Sequence, residues 1–319
     1  MNDLLCEYRR GGRVESVHRG AVAVVADGRV IYRKGDVAEP VFLRSCAKPF
    51  QAFVVVESGA ADACGLTAEE LAVVCGSHGG EPDHVRAVTS ILRKAGVAPA
   101  ALCCGVHAPS SPKGAAALVR SRREPGAIHN NCSGKHSGML AAARSLGAKL
   151  ETYLDPSHPV QRANLATVSR LTGIASRKIP LGTDGCSAPT FAVPVRAMAR
   201  AIAAFSTEAG TAARIRGAMM SHPYMVGRPC VQLMCCAPGR LVGKGGAEGV
   251  YLCGLPGRGA GIALKIADGS LRPAMHLIVA LCRKLRLLGK EDLARLGRLA
   301  DPVLRNHAGI AVGEVRARL

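Results

Sequence analysis

Strand-like segments lie near both ends of this 319-residue sequence, and helical patterns fill the region between them. Residues 21–32, AVAVVADGRVIY, predict two strands around an Asp27-Gly28 turn, and residues 250–255 and 261–267 predict a second pair. This order differs from the regular strand–helix alternation of parallel sheets. It predicts an α/β fold of the α+β type, in which one antiparallel sheet is built from both ends of the chain and is flanked by helices.

The predicted helices lie mainly between residues 45 and 220, inside a single domain of residues 1–319. Their predicted ranges are 48–58, 68–75, 82–95, 137–147, 159–172, 190–204 and 207–220, with a further helical region at 273–299. Thr67 is the expected N-cap of the second helix, because Glu69 and Glu70 follow in its first turn. No internal repeat or low-complexity tract divides the chain.

Composition limits the kind of core and the kind of partner. Hydrophobic residues make up 48% of the chain, but aromatic residues only 3%, and tryptophan is absent. The core must therefore be mostly aliphatic. Few aromatic side chains are available to stack on bases, which argues against binding of single-stranded nucleic acid.

The net charge is strongly positive, with 42 Lys and Arg against 23 Asp and Glu, or +19. Such a charge could attract nucleic acid, anionic lipid or an acidic substrate, so a non-enzymatic basic binding protein is one interpretation. However, the basic residues are scattered from Arg9 to Arg318 and form no run of five or more. The pattern favours an arginine-rich surface, and we expect no nucleic-acid partner.

The chain has 13 cysteines, an odd number without regular spacing. Its first residues, MNDLLCEYRR, contain no apolar segment for export, and no apolar stretch is long enough to span a membrane. These features predict a cytoplasmic protein with reduced thiols and no membrane partner. Most cysteines are expected to act as small core residues, which leaves a few available as metal ligands.

The first segment with a chemical pattern is RSCAKPF, residues 44–50. It follows a strand-like stretch and enters a helix, so that Lys48 lies one turn after Ser45 on the same face. A serine hydroxyl becomes a good nucleophile when a nearby base takes its proton, and a lysine of lowered pKa can be that base. By itself the S-x-x-K tetrapeptide more often represents a helix-capping serine and a solvated lysine.

Four further segments change this balance. They are residues 75–81 (CGSHGGE), 129–138 (HNNCSGKHSG), 182–189 (GTDGCSAP) and 244–250 (KGGAEGV). With residues 44–50 they resemble, in order, the rhizobial-type L-asparaginases, also called the asparaginase II family. The resemblance covers about residues 14–269. It implies a fold related to serine β-lactamases and glutaminases, a homodimer, and hydrolysis of L-asparagine to L-aspartate and ammonia.

The resemblance also implies site residues. Two serine–lysine tandems are expected: Ser45 with Lys48, and Ser77 with Lys244, for which Lys265 is the fallback. A zinc ion is expected on Cys132, Lys135 and Cys186, with water as a fourth ligand. Lysine binds a metal only as a neutral amine, so the metal must lower its pKa. We expect the zinc to position the substrate, because the serines can supply the nucleophile.

The remaining predicted residues bind substrate or support the site. Asp184 could hold the substrate ammonium or orient a zinc-bound water, but a turn-forming aspartate explains the sequence equally well. Arg44 and His136 are further substrate-binding candidates. His78 and His129 could support the site, although a lone histidine is more often structural. Glycines around Ser77 are expected to bring backbone N–H groups near the substrate.

The predicted reaction has Lys48 deprotonating Ser45, attack on the side-chain amide carbon, loss of ammonia and hydrolysis of the aspartyl ester. Ser77 and Lys244 could relay the proton, or Ser77 could be the nucleophile. The alternative function is a related hydrolase acting on glutamine, a β-lactam or a small ester. Residues 224–236 depart from the family, since the segment is short and has no acidic residue. If it borders the substrate, specificity or activity differs.

Overall fold

The computed structural model describes residues 2–228 and 230–319, with every side chain except that of Arg298. Its strands are β1 Asp3–Arg10, β2 Arg13–Ala26, β3 Arg29–Lys34, β4 Pro40–Phe42, β5 Leu181–Thr183, β6 Pro189–Pro194, β7 Val242–Gly246, β8 Val250–Leu255, β9 Ala260–Ile266, β10 Val303–Arg305 and β11 Ala311–Ala317. Its helices are α1 Lys48–Glu57, α2 Ala60–Ala63, α3 Ala68–Val74, α4 Pro82–Lys94, α5 Pro112–Ser121, α6 Ser133–Ser145, α7 Pro159–Thr172, α8 Val195–Thr207, α9 Thr211–Ser221, α10 Pro223–Val226, α11 Cys230–Cys236, α12 Ala274–Lys284 and α13 Lys290–Leu296.

The chain divides into two compact units, and the first, here called the sheet unit, contains the large sheet. It consists of the chain up to Val41, Val193–Thr207 and Gln232–Leu319. The strand order is β10-β11-β1-β2-β9-β8-β7, with β3 paired to β2. The pairs β1–β11 and β2–β9 are antiparallel and join opposite ends of the sequence. The predicted antiparallel sheet from both chain ends, flanked by helices, is confirmed.

The core of the sheet unit is aliphatic, as the composition predicts. Val22, Val24, Ile262 and Leu264 are fully buried on the central strands β2 and β9. Helix α8 packs across β2, β8 and β9. Its close approach requires Gly261, because a Cβ there would lie 2.3 Å from the carbonyl oxygen of Ala199. Burial of this apolar face supplies the main driving force for folding of the sheet unit.

The second unit, here called the helical unit, consists of Phe42–Ala192 and Glu208–Val231. Helix α6 is central, since every residue from Ser133 to Ala143 is buried. Helices α1, α3 and α4 pack against it. The contact with α3 requires Gly134, because a Cβ there would lie 2.2 Å from the carbonyl oxygen of Val73. Residues 133–137 of α6 are therefore held in the interior although most of them are polar.

Most predicted elements are present, with shifts at their ends. Thr67 caps α3 in a capping box with Glu70, as its sequence indicates. The predicted helix at 190–204 is wrong at its start, because residues 189–194 form β6 and the helix begins at Val195. An apolar run of that length suits a buried strand as well as a helix. The single-domain prediction remains a prediction.

Two further predictions concern the cysteines and the membrane. All 13 cysteines are free, and most are buried, as expected for small core residues. In the parts of the chain that the structure describes, no helix is both long and apolar enough to cross a bilayer.

Candidate active site

Lys48 is a fully buried lysine at the first position of α1. Its Nζ donates to the carbonyl oxygen of Gly76 (2.6 Å), to Ser77 Oγ (3.0 Å) and to the carbonyl oxygen of Asn131 (3.2 Å). A buried ammonium is costly unless its N–H groups are hydrogen-bonded, and these acceptors meet that need. The structure thus brings the lysine of the first predicted tandem to the serine of the second.

The loop of residues 75–81 presents Ser77 to this lysine. The Ser77 amide donates to the carbonyl oxygen of Val226 (2.9 Å), and the His78 amide donates to that of Asn131 (3.2 Å). The loop is therefore fixed from two sides by backbone hydrogen bonds. These two N–H groups already have backbone acceptors, and the prediction that N–H groups of this loop lie near the substrate stays a prediction.

Ser45 lies in the 3-10 turn Arg44–Ala47 that precedes α1, and it is partly exposed. Its carbonyl oxygen accepts a hydrogen bond from the Lys48 amide, which places the two residues one turn apart as the spacing predicts. The preceding residue, Arg44, has a φ of 50°, a left-handed conformation that is uncommon for a residue with a side chain. Strained backbone of this kind is often retained at functional sites.

Arg44 and Asp184 form an ion pair. Arg44 Nε donates to Asp184 Oδ1 at 2.8 Å, and the Gly185 amide donates to the same oxygen at 2.9 Å. Burial favours a raised pKa of Asp184, but Lys135 and Arg44 outweigh it, so the pKa of this carboxyl is lowered. Asp184 is therefore an ionised, oriented carboxylate, and it also stabilises its own turn, so both roles considered for it are compatible with the geometry.

Cys132, Lys135 and Cys186 form a buried cluster. Lys135 Nζ donates to Cys186 Sγ at 3.0 Å. A hydrogen bond from Cys186 holds the pKa of the Cys132 thiol well below its usual value, and Lys48 and Lys135 act in the same direction. Burial opposes the charge on Lys135, but the sulfurs of Cys132 and Cys186 raise its pKa. The lowered pKa of Cys132 and the raised pKa of Lys135 both favour the charged forms of these groups.

The donor set of this cluster fits zinc. Thiolate sulfur is a preferred zinc ligand, and Cys186 is hydrogen-bonded to both Cys132 and Lys135. In the described residues no group of three His, Cys, Asp or Glu side chains could hold a metal. A zinc ion here would thus depend on Lys135 as the third protein ligand, in its neutral form.

His136 is fully buried on α6 and carries an unsatisfied nitrogen. Its Nδ1 lies 2.6 Å from the hydroxyl of Tyr153, which itself accepts a hydrogen bond from the Cys103 amide (3.0 Å). When the Tyr153 hydroxyl donates to Nδ1, the neutral imidazole carries its proton on Nε2. Among the described residues His136 Nε2 has no hydrogen-bond partner. Burial, with Lys135 and Lys48, lowers the pKa of His136 well below its usual value.

The other two histidines of the motifs serve the loops in which they lie. His78 is fully buried, with Nδ1 accepting from the Gly80 amide (3.2 Å) and Nε2 at 2.9 Å from Ser133 Oγ. His129 Nδ1 accepts from the Gly126 amide at 3.0 Å. Both contacts are structural, in line with the usual role of a lone histidine.

The proposed lysine of the second tandem belongs to the sheet unit. Lys244 is buried on β7, and its Nζ donates to the carbonyl oxygen of Gly245 at 2.7 Å. The fallback, Lys265, is on β9 and donates to the carbonyl oxygen of Glu248. The structure brings together Lys48 with Ser77, Arg44 with Asp184, and the three proposed zinc ligands.

A family model described as L-asparaginase II matches residues 6–317, nearly the whole chain. The chain belongs to the L-asparaginase II family. This membership confirms the family predicted from the five motifs and the predicted class of enzyme, an amidohydrolase. No curated protein matches the sequence significantly.

Three solved structures illustrate the similarity of an L-asparaginase II chain to known folds. Mglu in its native form is 16% identical, with a TM-score of 0.47 over 90% of this chain and 66% of its own. A β-lactamase from Mycobacterium bovis is 15% identical, with a TM-score of 0.37 over 83% of this chain and 94% of its own. A class C β-lactamase is 14% identical, with a TM-score of 0.40 over 86% of this chain and 90% of its own.

The chain thus spans slightly less than two thirds of the length of the first Mglu structure. The fold assignment rests on the sheet topology and helix packing described above.

Several residues around the site were not singled out in the sequence analysis. Asn131 supplies a carbonyl acceptor to Lys48, and Tyr153 orients His136. Tyr224 and His84 lie beside the Ser77 loop. A backbone acceptor leaves no trace in residue type.

Proposed function

We propose that this chain hydrolyses the side-chain amide of L-asparagine to L-aspartate and ammonia by serine–lysine chemistry. The observation that carries this proposal is the 3.0 Å hydrogen bond between the buried Lys48 amine and the Ser77 hydroxyl, in a member of the L-asparaginase II family. A buried lysine beside a hydroxyl is an arrangement that can generate a nucleophilic oxygen.

The surroundings of Lys48 suit its action as a base. A neutral amine has two N–H groups and one lone pair. A neutral Lys48 can donate to the carbonyl oxygens of Gly76 and Asn131 and accept the Ser77 proton through its lone pair, and Cys132 is a further neighbour of the amine. This geometry supports Ser77 as the nucleophile and Lys48 as its base. Ser45, one turn before Lys48, is the alternative nucleophile.

The reaction proceeds in two stages. Lys48 takes the Ser77 proton, and the oxygen attacks the amide carbon of the substrate. The C–N bond breaks, and Lys48 returns the proton to the leaving group, which departs as ammonia. Water then attacks the aspartyl ester, and release of L-aspartate restores the serine hydroxyl. Lys244 remains the predicted lysine of the second tandem.

Three side chains are proposed to bind the substrate. Arg44 offers its guanidinium to the substrate carboxylate, and Asp184 its carboxylate to the substrate ammonium. His136 offers its Nε2–H, which no described residue satisfies. A buried donor without a partner is costly, and a polar substrate atom would satisfy it.

Cys132, Lys135 and Cys186 are proposed to hold zinc. When bound, zinc keeps both sulfurs as thiolates and acts as a Lewis acid that orients the substrate. The homodimer and the cytoplasmic location are part of the same proposal and are supported by the family resemblance and the free thiols.

The test is ammonia release from purified protein, with L-asparagine, L-glutamine and nitrocefin as parallel substrates. We expect L-asparagine to be preferred, and preference for another substrate would overturn the proposed specificity. A chelator-treated sample and metal analysis test the zinc. The covalent intermediate, trapped with a slow substrate and located by mass spectrometry, should lie on Ser77 rather than Ser45. Full activity in both Ser77→Ala and Ser45→Ala would exclude the serine mechanism.

A further inference from the structure

A stack of three rings links His78, the residue after Ser77, to Tyr224, the first residue of the segment that departs from the family. The ring of His78 stacks on that of His84 (centroids 5.1 Å apart, planes at 15°), and His84 stacks on Tyr224 (4.7 Å, 19°). His84 also accepts from the Glu81 amide and lies 3.2 Å from the carbonyl oxygen of Tyr224 through Nε2. The stack joins α4, α10 and the Ser77 loop.

The backbone of residues 224–227 contacts the same loop directly. Val226 accepts the hydrogen bond of the Ser77 amide. Gly227 has a φ of 88°, and a Cβ on it would lie 2.2 Å from the carbonyl oxygen of Ser77. A Cβ on Gly76 would lie 2.4 Å from the carbonyl oxygen of Met225. The two backbones are therefore in contact at the serine, with no room for a side chain.

The hydroxyl of Tyr224 fixes the outer end of the stack. It donates to Glu81 Oε2, and Lys113 Nζ lies 3.5 Å from the same oxygen. Glu81 ends the CGSHGGE motif, so Tyr224 contacts the end of the loop directly through Glu81 and is linked to His78, in its middle, through the ring of His84. A phenol bonded to a carboxylate is a strong, directional contact.

We propose that Tyr224 is a positioning residue for Ser77, and that residues 224–227 buttress the serine loop. The segment that departs from the family thus acts on the nucleophile's position and not on the choice of substrate. Tyr224 does not touch a reacting atom. It acts on Ser77 through His84, His78 and the backbone of residues 224–227. The kinetic consequence rests on the proposed function, since it requires Ser77 to take part in the reaction.

The test uses the full chain and two readouts. Hydrogen exchange of the peptide covering residues 75–81 reports the hold on the Ser77 and His78 amides directly. Steady-state ammonia release reports kcat and KM. The variants are Tyr224→Ala, Tyr224→Phe, which keeps the ring, and Tyr224→Leu, which keeps apolar volume if the alanine variant folds poorly. Tyr32→Ala, in the sheet unit, is the matched control.

We expect Tyr224→Ala and Tyr224→Leu to speed exchange in residues 75–81 and to lower kcat, each by about tenfold, the scale of a lost aromatic pair. KM and the ratio of asparagine to glutamine activity should stay within about twofold, on the scale of a neutral surface change. Tyr224→Phe should recover most of kcat, and Tyr32→Ala should change neither readout.

An unchanged rate of hydrogen exchange in residues 75–81 of both Tyr224→Ala and Tyr224→Leu would overturn the proposal that residues 224–227 support the serine loop. A raised KM or a changed substrate ratio at constant kcat would overturn it too, because it would mean that the segment borders the substrate. Faster exchange without a loss of kcat would reject the positioning role. If the wild-type protein releases no ammonia from any substrate, the proposed function fails. The exchange data alone still show whether residues 224–227 support the serine loop.

Discussion

The two units of this chain bury different kinds of side chain. In the sheet unit the central strands bury aliphatic residues such as Val24 and Ile262. In the helical unit the buried residues include Lys48, Lys135 and His136. Apolar burial stabilises a fold, whereas a buried polar group at best offsets its desolvation with hydrogen bonds. The comparison indicates that the central strands of the sheet unit supply stability, whereas the helical unit holds most of the buried polar groups of the candidate site, which lower stability.

The largest expected effect is on activity, from Lys48→Met. Loss of the base should lower kcat/KM by about 10³-fold. The free energy of unfolding should change by less than about 2 kcal/mol, because lost hydrogen bonds and relief of a buried charge oppose each other. Ammonia release and urea unfolding measure the two quantities. Retention of activity would show that the buried lysine is structural, and the contrast between a stabilising sheet unit and a catalytic helical unit would then fail.

The converse change is Ile262→Ala in the sheet unit. Removing this buried side chain should lower the free energy of unfolding by about 2–5 kcal/mol through lost apolar contact and a cavity. The activity of the protein that remains folded should equal that of the wild type at 25 °C. Urea unfolding followed by circular dichroism gives the first value. A large loss of kcat in fully folded protein would mean that the central strands of the sheet unit affect the reaction as well as stability.

A smaller effect depends on pH and concerns His78. Burial lowers the pKa of His78 well below its usual value, with His84 and Lys48 acting in the same direction. Below pH 6.5 the unfolded chain binds a proton there that the folded chain does not. His78 thus lowers stability as pH falls below about 6.5, by up to about 1.4 kcal/mol per pH unit.

The measurement is urea unfolding of wild type and His78→Gln at pH 7.0 and 5.5. The stability difference between them should shrink at the lower pH, because the variant lacks that titration. His307→Gln, at an exposed position, is the matched control. An equal difference at both pH values would mean that His78 is protonated in the folded state.

The smallest effect is expected from His18→Gln in the sheet unit. His18 Nδ1 pairs with Asp268 Oδ2 at 2.6 Å, but the aspartate side chain is 46% exposed. Pairs with an exposed partner contribute about 1 kcal/mol or less. Thermal unfolding should shift by only a few degrees, with kcat unchanged. A loss of activity here would show that the His18–Asp268 pair takes part in the reaction.

Local signals predicted much of the fold. The Asp27-Gly28 turn predicted the β2–β3 hairpin, and Thr67 with Glu70 marked the start of α3. β1 and β11 were left unassigned, because their pairing joins Cys6 to Ala317 and nothing near either strand indicates it. β6 was predicted as a helix, since a short apolar run has no clear period.

The site was predicted in its residues but not in its pairing. The S-x-x-K spacing pairs Ser45 with Lys48, and those residues are indeed one helical turn apart. The hydrogen bond of Lys48 to Ser77 joins residues 29 positions apart, so it depends on how α1 packs beside the 75–81 loop. Tyr224 lies 143 residues from Glu81, and no motif links them.

By itself, the sequence determined the aliphatic core, the local turns and caps, the family and the residues able to do chemistry, because these follow from residue type and short spacing. Only the tertiary structure decided that Lys48 contacts Ser77, that His136 Nε2 has no partner among the described residues, and that residues 224–227 support the serine. Hydrogen bonds and ring stacking act over a few ångströms, and only the folded chain brings distant residues within that range.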